Sequence, residues 1–243
     1  MRAWQQNWQS NCATSAHIPA YTRHLPAEGG HVIVCWSLKG GSGTTVVSAA
    51  LALTLAQRNS AAVRIVDLAG DIPSALGIAE PSGEGVTNWL QQQHVPIQSL
   101  QIPVTARVSL IPRGDGPLKH HDLTTEHCNT LATELDTSNE LTVVDAGSGH
   151  IPQVINNATT SLLVIRPCYL ALRKAAHLCV KPHGIVLINE PGRSLGKRDV
   201  ESVVGAPVLV ELPLDPTIAR CVDAGLLASR IPTMLSQHLA HVA

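Results

Sequence analysis

Residues 37–47 read Ser-Leu-Lys-Gly-Gly-Ser-Gly-Thr-Thr-Val-Val and follow directly on the apolar run 31–36. Glycines at 40, 41 and 43 allow backbone conformations that side chains forbid, and they let main-chain N–H groups come close to an anion. A helix starting at Thr44 or Thr45 would aim the positive end of its dipole at the same point. The chemistry on offer is the gripping of a polyphosphate by backbone amides. A second group sits at 145, where Leu-Thr-Val-Val-Asp runs into Ala-Gly-Ser-Gly149. A carboxylate at the carboxyl end of a strand beside such a loop can hold a Mg²⁺-bound water. Gly147 and Gly149 would let that backbone move when a terminal phosphate is sensed.

These groups must be carried by strands that end side by side. Candidate strands are 31–36, 62–67, 107–111, 140–145, 161–166, 184–188 and 207–211. Most are continuous apolar runs, the pattern of strands covered on both faces. Helix candidates lie between them at 45–58, 84–93, 122–136, 169–180, 197–204 and 215–227. This alternation predicts an α/β fold, a doubly wound and mainly parallel sheet flanked by helices. Residues 30–243 read as one domain, because no linker or repeat interrupts them. Residues 1–29 are polar and aperiodic and read as a mobile tail, in which Trp4 and Trp8 share a face at helical spacing.

Composition narrows the function. The chain has 243 residues and no Phe, so its core must be built from Val, Leu, Ile and Ala. Lys plus Arg number 17 against 18 Asp plus Glu, which removes a chain-wide basic field for nucleic acid. The 6 cysteines form no C-x-x-C pair and read as reduced thiols of a cytoplasmic protein. No apolar run is long enough to span a membrane, and no signal layout opens the chain.

The loop resembles the deviant phosphate loop of the MinD/ParA family of P-loop ATPases, usually Lys-Gly-Gly-x-Gly-Lys-Thr. Lys39 keeps the early lysine, whereas Thr44 replaces the later one. The resemblance runs over roughly 31–228. It implies that Gly40, Gly41, Ser42, Gly43, Thr44 and Thr45 bind nucleotide phosphates, and that Thr45, Asp67 and Asp145 surround Mg²⁺. Lys39 would act across a dimer on the partner's phosphates, and Asp67 would take the catalytic or switch part of the second strand end. Ala69 stands where the family often has a second Asp there. Asp71 reads equally well as a displaced functional carboxylate or as the N-cap of a short helix. Further on, Asn189 matches an adenine-contacting Asn, and Pro213 and Asp215 match a loop that flanks the base.

The family implies ATP and Mg²⁺ as cofactors and a nucleotide-dependent homodimer. Its function would be a spatial organiser of cell division, chromosome partition or pilus positioning, with slow or absent hydrolysis. The alternative is a pseudo-ATPase, a protein-interaction scaffold that no longer binds nucleotide. A metabolic enzyme on the same fold lacks the expected C-x-x-C. The His and Cys residues of 119–128 match no closed zinc pattern. The basic loop 193–198 reads as solvated rather than DNA-binding. The stripe Ile231, Leu235 and Leu239 lacks a lysine-rich face and reads as a helix packed on the domain rather than on a membrane.

Overall fold

The five apolar residues Val32–Trp36 form β1, buried throughout at an inner position of a single sheet in the computed structural model. The structure describes residues 31–59, 61–92, 95–116, 125–137, 140–148 and 151–242. The expected tail, with Trp4 and Trp8, lies outside the described residues, as do His120, His121 and Gly149.

The other strands are β2 (Val63–Asp67), β3 (Ile102–Pro103), β4 (Val108–Ile111), β5 (Leu141–Asp145), β6 (Thr160–Ile165), β7 (Gly184–Asn189) and β8 (Val208–Pro213). Their order is β3-β4-β2-β5-β1-β6-β7-β8, and every pairing is parallel except β3 with β4. Each expected strand is present. The addition is β3, a two-residue edge piece too short to show a hydrophobic pattern.

The helices are α1 (Thr44–Asn59), α2 (Ile72–Leu76), α3 (Val86–Gln92), α4 (Thr125–Thr137), α5 (Pro152–Asn156), α6 (Tyr169–Ala175), α7 (Lys197–Val204), α8 (Pro216–Asp223) and α9 (Thr233–Leu239). Two apolar layers, one on each face of the sheet, bury the strands from both sides. This is why the strand runs are continuous rather than alternating. In α1, 11 of 16 residues are buried, because the sheet lies under one side and α9 and α2 cover others. Its Ala49, Ala50, Ala52 and Ala56 leave room for that close packing. Trp36, fully buried, donates its indole N–H to Ser161 Oγ at 2.9 Å and so leaves no polar atom stranded.

Four helices depart from the sequence expectation. The helix over 169–180 stops at Ala175, the one over 215–227 stops at Asp223, and α2 and α5 are short additions of 5 residues each. The expected C-terminal helix is α9, which buries Leu235 and Leu239 against the domain while Ile231 packs at the edge. Among the described residues, no helix is long and apolar enough to cross a membrane, and no three or more His, Cys, Asp or Glu side chains cluster so as to hold a metal.

Candidate functional site

The chain leaves β1 to one side of the sheet through α1 and β2, and later strands β6 to β8 continue on the other side. The reversal opens a crevice at the carboxyl ends of the central strands, where doubly wound sheets bind ligands. A cleft of about 790 Å³ lies there. Its walls include Gly40–Val46 from the loop after β1, Ala69 and Asp71 after β2, Arg113 after β4, and Gly147 and Ser148 after β5. That volume suits a small-molecule ligand.

The loop is shaped from the inside. Ser42, buried, donates its hydroxyl to the Lys39 carbonyl at 2.9 Å, and Ser37 Oγ lies 3.1 Å from both the Lys39 and Gly147 carbonyls. Gly41 and Gly43 take φ of 74° and 87°, the left-handed region that disfavours side chains. A Cβ at 40, 41 or 43 would meet nothing within 4 Å, so the loop faces open space. The Val47 N–H bonds back to the Gly43 carbonyl at 3.0 Å and starts α1 at the cleft. The amides and the dipole of a 16-residue helix therefore converge where an anion would sit.

Register places the two carboxylates together, since Asp67 pairs with Asp145 across β2 and β5. Their surroundings differ. Asp67 Oδ1 accepts the Ala69 and Gly70 N–H groups at 3.0 and 2.6 Å, and Oδ2 accepts Ile72 N–H at 3.0 Å. Both oxygens thus tie down the loop after β2. Asp71 stands at the N-cap position of α2 but makes no side-chain cap bond; the second helical residue is Pro73, which has no N–H to offer, and Asp71 lines the cleft.

Asp145 Oδ1 accepts Gly147 N–H at 3.0 Å, while its buried Oδ2 has no partner within hydrogen-bond geometry among the described residues. Burial pushes its pKa up to about 7; the Thr45 hydroxyl works against that shift and the Asp67 charge adds to it. Burial also raises Asp67, opposed by its three amide bonds. An orphaned carboxylate oxygen with a Thr hydroxyl beside it, under an anion cradle, is a donor set suited to a small hard cation.

Lys39 is half-buried, does not line the cleft, and donates to the Gly40 carbonyl at 3.2 Å. Thr44 is buried, with its carbonyl receiving the Ser48 hydroxyl at 2.9 Å. Asn189, Pro213 and Asp215 gather at the ends of β7 and β8, apart from the lining of the cleft. The Asn189 carbonyl accepts Leu214 N–H at 2.8 Å. Asp215 caps α8 through Thr217 N–H at 2.8 Å, the main cause that holds its carboxyl below the usual range.

Sequence reasoning missed two groups here. Arg166, at the end of β6, reaches the Gly41 carbonyl at 3.5 Å and pairs with Glu190 at 2.7 Å. Arg113 comes from β4, with two strands between it and β1; a cation just beyond the end of β4 was its only sequence signal.

The sequence matches no protein-family model, and no curated protein matches it. Solved structures do match. A ParA family ATPase from Chlorobium tepidum TLS superposes with a TM-score of 0.69 at 18% identity, over 88% of this chain and 98% of that one. The fold is that of MinD and ParA. The septum site-determining protein MinD of Pyrococcus horikoshii OT3, solved with Mg-ADP, gives 0.70 at 18% identity over 88% and 94%. The cell division ATPase MinD of Pyrococcus furiosus gives 0.68 at 20% identity over 88% and 100%. The likeness to the MinD/ParA fold thus spans almost the full described chain.

Proposed function

We propose that this chain is a divergent MinD/ParA-like protein that binds ATP with Mg²⁺ and uses the bound state as a positioning switch. The observation that carries the reading is the open glycine loop at the start of α1, whose Thr45 adjoins the buried Asp145 with its unpartnered Oδ2. Gly40, Gly41, Ser42, Gly43, Thr44 and Thr45 would hold the phosphates through main-chain N–H groups and hydroxyls. Thr45 and Asp145 would hold Mg²⁺, which when bound supplies positive charge against the phosphate oxygens. Asp67 keeps the loop 69–72 in place through its three amide bonds and adds negative charge beside the metal position. Lys39, half-buried at the loop and bonded to the Gly40 carbonyl, would swing out to the phosphates of a second copy, so nucleotide would favour a homodimer. Asn189, Pro213 and Asp215 would flank the base. Turnover is slow or absent, because phosphoryl transfer depends on neutralising charge near the transferred phosphate and Thr44 takes away the loop's own cation from that place.

One observation favours the scaffold alternative. The protein's own groups already hold the loop: Ser37 and Ser42 at Lys39, Arg166 at Gly41, and Lys174 Nζ at the Leu38 carbonyl, 2.9 Å away. Titration calorimetry with Mg-ATP and Mg-ADP decides between the two. Binding in the micromolar range, with a mass increase by light scattering in ATP, supports the switch. No heat at millimolar nucleotide would leave the scaffold.

A further inference from the structure

We propose that Arg113 supplies, from within the same chain, the phosphate-binding cation that position 44 lacks, and that it acts on the terminal phosphate of a nucleoside triphosphate. The inference rests on the cleft being a nucleotide site, as proposed above.

Arg113 is the one cationic side chain among the described residues that line the cleft. Lys39, the lysine kept in the loop, is outside that lining. Asp71 and Asp223 are the acidic side chains lining it, so without Arg113 the lining would carry only negative charge. A polyphosphate held there by amides alone would face those carboxylates and the buried pair Asp67 and Asp145.

The position of Arg113 is built rather than incidental. Its carbonyl accepts two hydrogen bonds from Thr87, one from N–H at 3.0 Å and one from Oγ1–H at 2.9 Å. The neighbouring Pro112 carbonyl accepts Val86 N–H at 2.9 Å. Gly85 permits this approach, because a Cβ there would overlap the backbone of 112–114. The side chain then passes over Gly70: a Cβ on Gly70 would stand 2.9 Å from Arg113 Cδ and 3.5 Å from Nη1. The stem is thus seated in a groove that only glycine leaves open. Nε is buried and has no hydrogen-bond partner among the described residues.

The direction of approach selects the phosphate. Between β4 and β1 lie β2 and β5, so Arg113 and the glycine loop start three strand spacings apart, about 14 Å. By crossing the loop after β2, the arginine enters the cleft on the side of Asp67 and Asp71, away from α1. The amides at the α1 start take the inner phosphates. The arginine meets the outermost group, which a diphosphate lacks. Its planar fork can hold two phosphate oxygens at once, which lysine cannot.

The test is binding of Mg-ATP and Mg-ADP to the full chain and to Arg113→Gln, by calorimetry, with thermal melts alongside. Glutamine keeps most of the stem over Gly70 and removes the charge; Arg113→Ala is the second variant. The expected result is a loss of ATP affinity of about 10- to 100-fold, the worth of one charge-assisted contact of roughly 1.5–3 kcal/mol. ADP affinity should change less than about threefold, with Tm unchanged. Adding Thr44→Lys to Arg113→Gln should recover at least about tenfold of the loss. Arg113→Gln binding ATP as tightly as the unmodified chain overturns the proposal and leaves the nucleotide reading standing. So does an equal loss for both nucleotides with a lowered Tm and no recovery by lysine, the mark of a purely structural residue. If the unmodified chain binds neither nucleotide, both readings fall together.

Discussion

The two halves of the sheet edge that carries the strand ends are built on opposite principles. On the β1–β5–β2–β4 side, some buried polar atoms are under-satisfied: Asp145 Oδ2 and Arg113 Nε have no partner among the described residues, and a Cβ at Gly40, Gly41 or Gly43 would face open space. On the β6–β7–β8 side, polar groups are half-buried or exposed and already matched. Glu190 pairs with Arg166 at 2.7 Å and Arg193 at 3.0 Å, and these two arginines hold its carboxyl below the usual range. Asp215 caps α8, and Asn189 anchors the backbone of Leu214. Burying an unpaired polar group is costly, while exposed matched pairs contribute little. The difference leaves unmet bonding capacity on the side of the glycine loop and little on the other.

The strongest way to break this comparison is Asp145→Ala. If the buried carboxylate is the metal position, Mg²⁺-dependent nucleotide affinity falls by about two orders of magnitude, on the scale of one or two charged contacts. EDTA should lower the unmodified chain to a similar level and leave the variant unchanged. Thr44→Lys comes next. It should raise ATP affinity or turnover by about 10- to 100-fold, by restoring a charged contact. Rapid turnover in the unmodified chain would contradict the impairment assigned to Thr44.

A pH series sharpens the same contrast. Asp145 has its folded pKa raised to about 7, so without metal the folded state binds a proton that the unfolded chain releases near pH 4. Stability from this group is present below about pH 4 and is lost as pH rises to about 7, at up to about 1.4 kcal/mol per unit. Metal-free Tm should therefore fall between pH 5 and pH 8, and Asp145→Asn should flatten that slope. Mg-ATP should flatten it too, by favouring the carboxylate. The smallest effects belong to the other half. Asn189→Ala should change affinity by less than about threefold. Asp215→Ala removes an exposed cap worth about 1 kcal/mol, lowering Tm by about 2–4 °C without a change in phosphate binding. A larger effect on affinity from Asn189 than from Asp145 would invert the comparison.

The strand positions were legible because burial on both faces forces unbroken apolar runs, and every such run became a strand. The glycine loop was legible for a related reason: positive φ at 41 and 43 leaves few choices of residue. The helix over 169–180 was less so. Its pattern continues beyond Ala175, but the chain turns there on bonds from His177 and Leu178 to the preceding carbonyls. The Asp67 role was hidden as well. A strand-end aspartate looks the same in sequence whether it faces a metal or folds back on three amides, and only the path of residues 69–72 distinguishes them.

What the residue order determined by itself was local: where the backbone must be extended, where only glycine fits, and which strands end in a carboxylate. These follow from short-range sterics and from the period of apolar residues, both readable within a dozen positions. What the tertiary structure decided was which groups from distant segments share one space. Parallel pairing set Asp67 beside Asp145, and the strand order carried Arg113 across Gly70 into the cleft of a loop some seventy residues earlier. Proximity of that kind arises from sheet order and closure of the core, and no local pattern encodes it.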